Sequence, residues 1–416
     1  MTPEISTRAH LMPSSPIRRL MPLADEAKRS GAHVYHLNIG QPDIETPEAM
    51  LRRLRELTDR VLCYSPSEGQ APFLDSLRAY YGERGVELHE GEILATTGGS
   101  EAILFAFLAC ADEGEEILVV EPFYTNYAGF AAMAGVRLVP VTSRGRDGFH
   151  LPSQSVWDRA LTPETRAVLL CNPNNPTGTV YTRDELDLVA DFCRRHDLFL
   201  ISDEVYREFA YDGRRPTSVL ELPQIEELAI LVDSLSKRYS VCGIRLGCLA
   251  SRNRQVMAAC LRMAQARLSA PGLAQAMAAA ASEIGPDYAR EINAEYQHRR
   301  DVLFEGLQAI QGVFLLRPEG AFYCIARLPV ADSGDFAEWL LRDFRLDGAT
   351  VMIAPASGFY ATAGLGMNEI RIAYVLQEED LRAALRVLGE GLREYRVLRG
   401  LTGAEYEREP SAALRS

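Results

Sequence analysis

No apolar run in this chain of 416 residues is long enough to cross a bilayer. The opening residues, MTPEISTRAHLMPSSPIRRL, carry no apolar stretch of the kind that starts a Sec-exported protein. Both absences point to a cytoplasmic chain. Positive charge is also scarce: 44 Lys and Arg stand against 57 Asp and Glu, a formal net charge of -13. That balance argues against a nucleic-acid partner and against an anionic membrane surface. The eight cysteines include no CxxC pair, and several, such as Cys110 and Cys171, sit in apolar surroundings. They read as free thiols in a reducing compartment, with neither a disulfide framework nor a metal site expected. Repeats and low-complexity tracts are lacking too.

What is present is an ordinary globular composition, 47% hydrophobic and 24% charged, at a length that suggests two or three domains. Short apolar runs at 93–97, 117–120, 137–141, 167–171, 198–202, 229–233 and 246–250 alternate with helical patterns, clearest at 101–111 and 183–195. Strand alternating with helix predicts an α/β fold built on a mostly parallel sheet. After Gly285-Pro286 the pattern changes to a long charged helix over 287–311, strands at 321–328, 350–354 and 369–374, and a helix over 378–395. The expected division is an arm at 1–15, a large domain at 47–298, a smaller α+β domain from 16–46 and 299–396, and a loose tail at 397–416.

The polar motifs fall where the predicted strands end. GGSE (Gly98 to Glu101) opens a helix, so its amides can face an anion, although a plain tight turn is the commoner reading of two glycines. NPNNPTG (Asn172 to Gly178) has more asparagine and proline than a turn needs. DEVY begins with Asp203, which taken alone reads as a helix cap. SLSKRYSVCGIRLG (Ser234 to Gly247) follows the strand at 229–233. A lysine in a dry pocket can lose its proton and form a Schiff base with an aldehyde. Serine hydroxyls and an arginine suit a phosphate dianion. An aspartate beside a pyridine nitrogen keeps that nitrogen protonated. Aldehyde, phosphate and pyridine together describe pyridoxal 5'-phosphate.

From about Pro16 to Tyr395 the chain resembles the class I/II, aspartate-aminotransferase-like enzymes of PLP fold type I. The likeness rests on SLSKRYSVCGIRLG, NPNNPTG, SDEVY, YSPSEG, GAFY and IRIAY. It implies a seven-stranded sheet in the large domain and a two-fold homodimer with composite sites. It also implies roles. Lys237 would hold PLP as a Schiff base and shuttle a proton, Asp203 would pair with the pyridinium nitrogen, and Asn175 and Tyr206 would hydrogen-bond the ring's O3'. Ser234, Ser236 and Arg245, with amides around Gly99, Ser100 and Glu101, would hold the phosphate, and Tyr124 would stack on the ring. Arg371 would grip the substrate α-carboxylate, with Gly40 giving a backbone contact and Asn175 beside it. Tyr64 would reach the neighbouring subunit's phosphate.

Three positions bear on detail. Ala356 stands where many relatives have glycine, which puts the local turn in question. Ser100 stands where some aspartate-specific relatives resemble each other in carrying lysine, which weakens an aspartate reading. Arg267 lies near a segment that reaches the partner's site in relatives, although a surface arginine is the usual case. The expected activity is transfer of an amino group from an L-amino acid to a 2-oxo acid, 2-oxoglutarate foremost, by a ping-pong route. A C–S β-lyase or an aminocyclopropane-carboxylate synthase on the same fold is the alternative. A PLP-sensing regulator is the remote one, since it would add a DNA-binding domain.

Overall fold

The structure, a computed structural model, describes residues 3–401. Its largest sheet has seven strands in the order Ile93–Thr96, Gly247–Ala250, Ala229–Ser234, Phe199–Asp203, Thr165–Cys171, Glu116–Glu121 and Arg137–Thr142. Gly247–Ala250 runs antiparallel to both neighbours, and the other pairings are parallel. The inner parallel strands are buried on both faces, so their side chains alternate between two apolar layers; the edge strand Arg137–Thr142 is only partly buried. Leu118, Leu170, Leu200 and Leu231 enter one; Ile117, Leu169, Ile201 and Ile230 enter the other.

Local chemistry explains the helices between the strands. Thr182 and Glu185 form a reciprocal capping box at the start of helix Arg183–Arg195. Helix Gly98–Cys110 begins at Gly98 with φ +70, left-handed backbone that favours glycine. Gly247 lies against that start. A Cβ there would come within 2.5 Å of the Asp233 carbonyl oxygen and 2.9 Å of the Gly99 nitrogen, so strand and helix end approach backbone to backbone.

The remaining strands form two small sheets. Tyr323–Arg327, Glu369–Ala373 and Ala354–Pro355 are antiparallel, while His33–His36 pairs in parallel with Ala349–Met352. The single strand expected at 350–354 is therefore two, broken at Ile353 and shared between the sheets. One apolar cluster joins helices Met21–Arg29, Pro286–Gln308, Ser333–Arg342 and Glu378–Leu398 to these strands and reaches Cys171, Tyr206 and Phe209 of the large sheet's loops. The final helix runs past the expected end at 395 through Val397 and Leu398; of the segment expected as a tail, residues 402–416 lie outside those described. No helix among the described residues is long and apolar enough to cross a membrane.

Candidate active site

A cavity of about 380 Å³ lies where the parallel strands end, against the two small sheets. Gly40, Gly99, Ser100, Tyr124, Asn175, Asp203, Tyr206, Ser234, Ser236, Lys237, Arg245 and Arg371 all line it. These residues come from positions as far apart as 40 and 371, and strand ends and loops bring them together.

Strand Ala229–Ser234 delivers the loop that carries the lysine. Ser234 accepts from the Ser236 amide at 3.2 Å, and the two hydroxyls meet at 2.8 Å. The adjacent basic residues then diverge. Lys237 Nζ donates to the Gly40 carbonyl at 2.7 Å, on the cavity side. Arg238 turns into the protein, pairs with the buried Asp233 and lies over the Tyr80 ring at 3.6 Å. Arg238 thereby fixes the backbone from which Lys237 projects. Burial pulls the Lys237 pKa down, Arg371 and Arg245 push the same way, and Cys242 beside it opposes them.

Arg245 has φ +53 and donates to the Cys242 carbonyl at 3.1 Å. A Cβ on Gly98 would come within 2.7 Å of Arg245 Nη2. The glycine thus admits the guanidinium to the N-terminus of helix Gly98–Cys110. Arginine, two serines and a helix N-terminus make a cradle for a dianion.

Asp203 ends strand Phe199–Asp203 and lines the same cavity. Its Oδ2 accepts from the Tyr127 hydroxyl at 2.6 Å and its Oδ1 from the Val205 amide at 3.3 Å. Burial raises its pKa to about 6, against those two hydrogen bonds, and Asp233 adds to the rise. Asn175 Nδ2 donates to the Tyr206 hydroxyl at 3.3 Å, and Tyr206 meets Tyr323 at 3.1 Å. Tyr124 accepts from Asn126 at 2.8 Å.

Arg371 is 2% exposed. It donates to the Asn38 carbonyl and, at 3.4 Å, to Asn175 Oδ1. Its Nε is buried without a hydrogen-bond partner, and no ion pair forms to it among the described residues. A buried guanidinium lacking a carboxylate is costly, so the group has the capacity to pair with an anion entering the cavity.

Two expected residues lie away from the cavity lining. The Glu101 side chain turns back, accepting from the Thr97 amide at 2.8 Å and pairing with Arg267 at 3.2 Å. Tyr64 is 82% exposed and lines a separate surface depression with Arg267 and Leu273. Arg267 also donates to the Ala95 carbonyl at 3.0 Å and is mostly buried. The turn questioned at Ala356 forms as a short 3-10 helix, Ala356–Phe359, with the alanine buried.

Sequence reasoning missed Tyr127, Tyr323, Asn38 and Arg18, which also line the cavity. Tyr127 lies in the first turn of helix Asn126–Ala134, in the same EPFYTNY segment as Tyr124. Tyr323 stands in the GAFY motif. A Cβ on Gly40 would fall 1.8 Å from its hydroxyl, so that glycine makes room for it.

Residues 32–388 match the family model "Aminotransferase class I and II". The chain is 31% identical to a probable aspartate/prephenate aminotransferase of Aquifex aeolicus, over 93% of this chain and 98% of that protein. It is 30% identical to aromatic-amino-acid aminotransferase 2 of Thermococcus litoralis, over 95% and 100%. Among solved structures it resembles a Thermus thermophilus aspartate aminotransferase with maleate, with TM-score 0.84, 28% identity and coverage of 94% and 100%. An alanine aminotransferase from Pyrococcus furiosus superposes with TM-score 0.86 at 26% identity, over 94% and 100%. A buried lysine, an anion cradle and an unpaired arginine at the strand ends, with a family match across most of the length, lead to one conclusion: this chain belongs to the class I and II aminotransferases.

Proposed function

We propose that the chain is a pyridoxal 5'-phosphate enzyme that moves an amino group from an L-amino acid to a 2-oxo acid, with 2-oxoglutarate the expected acceptor, in a ping-pong cycle. The observation that carries this reading is the convergence on one cavity of a lysine with lowered pKa, a buried carboxyl and a serine–arginine cradle. The residues fit the cofactor. The space Gly98 leaves beside Arg245, with Ser234, Ser236 and the amides of Gly99 and Ser100, suits its phosphate, and Asp203 suits its ring nitrogen. Asn175 and Tyr206 offer donors for the ring oxygen, and Tyr124 an aromatic face.

Bound there, the cofactor supplies an aldehyde that condenses with amines and a protonated ring that withdraws electrons. The chain does the rest. Lys237 Nζ would hold that aldehyde. As a free amine it would be the base that takes the proton from the substrate Cα and hands one back. Burial lowers its pKa, in the direction that favours the free amine. Arg371 holds the α-carboxylate, filling the vacancy at its unpaired Nε, and so orients the Cα–H bond. Asp203 keeps the ring nitrogen charged.

We further propose that the working unit is a homodimer. Val61, Leu62 and Tyr64 are exposed at 73%, 66% and 82%, beside the exposed Leu268 and Leu273. An apolar patch of that density suits a second copy. The eight cysteines are unpaired, in keeping with a reducing cytoplasm.

The decisive experiment is a single turnover with an amino acid and no oxo acid. Release of one oxo acid per site, with the cofactor left in its amine form, supports the transaminase. Continuous release of ammonia would instead identify a lyase.

A further inference from the structure

Among the described residues, Lys237 Nζ has two hydrogen-bond acceptors, the Gly40 carbonyl at 2.7 Å and Cys242 Sγ at 3.7 Å. The longer distance reflects the size of sulfur. Cys242 has no part in the reading proposed above. It stands in the SLSKRYSVCGIRLG segment, lines the same cavity as the lysine and, unlike the six buried cysteines, is only partly covered. Cys171, the other cysteine at the cavity, donates to the Pro173 carbonyl instead.

The sulfur is held in place. Its S–H donates to the Ser236 carbonyl at 3.2 Å, and the Val241 amide donates to that same carbonyl at 3.1 Å. Arg245 Nη1 donates to the Cys242 carbonyl at 3.1 Å, and Cys242–Ile244 form one 3-10 turn. A thiol has one donor and can also accept, so neutral Cys242 serves Ser236 and Lys237 at once. The loop that carries the serine–arginine cradle therefore also carries a fixed acceptor for the lysine.

A free amine has two N–H donors and one lone pair, arranged as a tetrahedron about nitrogen and the carbon it joins. Two acceptors at fixed points use both donors and leave the lone pair a single direction. With the Gly40 carbonyl alone, the amine would turn about its Cε–Nζ bond and take the lone pair with it. We infer that Cys242 is a positioning residue for the proposed base: its sulfur fixes the rotation of the free Lys237 amine while the substrate α proton is taken. This rests on the aminotransferase reading and adds a residue to its chemistry. Proton transfer depends steeply on the alignment of base and proton, so one weak hydrogen bond can matter to rate. Burial lowers the Lys237 pKa most, and Cys242 opposes it, as a hydrogen-bond partner of the charged form does.

The test compares wild type with Cys242→Ala, which removes the acceptor, and Cys242→Ser, whose hydroxyl can still donate to Ser236 and accept from the amine. In the PLP-loaded enzyme, Cys242→Ala should lower kcat by up to about a hundredfold. KM and cofactor affinity should stay near wild type, since Arg371 and the cradle are untouched. The isotope effect on kcat for an amino acid deuterated at Cα should rise, and Cys242→Ser should recover part of the loss. A second readout needs no cofactor. The chain has two lysines, so cofactor-free protein made with carbon-13 lysine gives two Cε signals, and the one missing from Lys237→Ala belongs to Lys237. Its titration should move to lower pH in Cys242→Ala and back in Cys242→Ser. Unchanged kcat and isotope effect in Cys242→Ala would overturn the assignment. So would a fall in kcat that follows loss of cofactor while the Lys237 titration stays put, because the thiol would then only shape the loop. A wild type that converts no amino acid to an oxo acid would instead defeat the aminotransferase reading, and the titration would still judge the contact.

Discussion

Burial acts on the two central ionisable groups in opposite senses, and both shifts favour the neutral form. For Lys237 that is the direction of the free amine, the form a base requires. For Asp203 it raises the pKa to about 6 and costs the protein stability when no cation sits opposite. The sign follows from linkage. Between the unfolded carboxyl's value, near 4, and about 6, the folded state binds the extra proton, so stability falls as pH rises. A shift of about two pH units corresponds to roughly 3 kcal/mol. Cofactor-free wild type should therefore lose up to that amount from this group between pH 4 and 7. Asp203→Asn should lack this part of the slope while losing catalysis. Denaturant titrations of both cofactor-free proteins across that range check it; parallel slopes would show that Asp203 carries no such shift.

Single elements hold the site's frame, and His150 is one fastening. It bonds Glu185, the capping residue of helix Arg183–Arg195, at 3.0 Å and lies 3.6 Å from Glu319. The Glu319 and Gly320 amides both donate to the Gly178 carbonyl, so the histidine clasps the end of the NPNNPTG turn. Hydrogen bonds to Glu185 and Glu319 raise its pKa to about 10, against partial burial. A raised histidine stabilises fully below its unfolded value, near 6.5, and loses that contribution as pH climbs through 10. His150→Gln should be less stable than wild type at pH 6 by about 1 kcal/mol, a modest figure because the pair is partly exposed. The gap should close by pH 11. A gap constant across that range in thermal melts would contradict the ion pair.

The same scale shows what the sequence made legible. The inner strands of the large sheet stood out because burial on both faces leaves continuous apolar runs, as at 229–233. Strand His33–His36 did not, since HVYH has one buried residue in four. The break at Ile353 was hidden because both halves of 350–354 are apolar, and the pairing partners, not the residues, divide them. At the site, residues in dense polar motifs announced themselves. Arg18 lies in an unremarkable turn, and only the folded chain brings it to a cavity whose other cations lie more than 200 residues away.

At the scale of the whole molecule, the exposed Tyr64 and its apolar neighbours are the surface on which the proposed dimer would form. If Tyr64 serves the partner's site, Tyr64→Ala and Lys237→Ala should each be nearly inactive alone. Mixed under conditions that allow subunit exchange, they should regain activity approaching half of wild type per mixed dimer. The subunit that keeps Lys237 then receives an intact Tyr64, and the other site carries both defects. Confirmed exchange with no activity would mean that Tyr64 works within its own chain or away from the site.

The central claim, that Lys237 is the cofactor's anchor, is exposed to an unusually direct test because the chain contains only two lysines, Lys28 and Lys237. Lys28 lies on helix Met21–Arg29 and is absent from the cavity lining. Borohydride reduction of the PLP-loaded protein, followed by proteolysis and mass spectrometry, locates the covalent adduct. The account predicts one phosphopyridoxyl group per chain, on the peptide containing Lys237, and none in Lys237→Ala. An adduct at Lys28 or at the amino terminus, with Lys237 unlabelled, would contradict it.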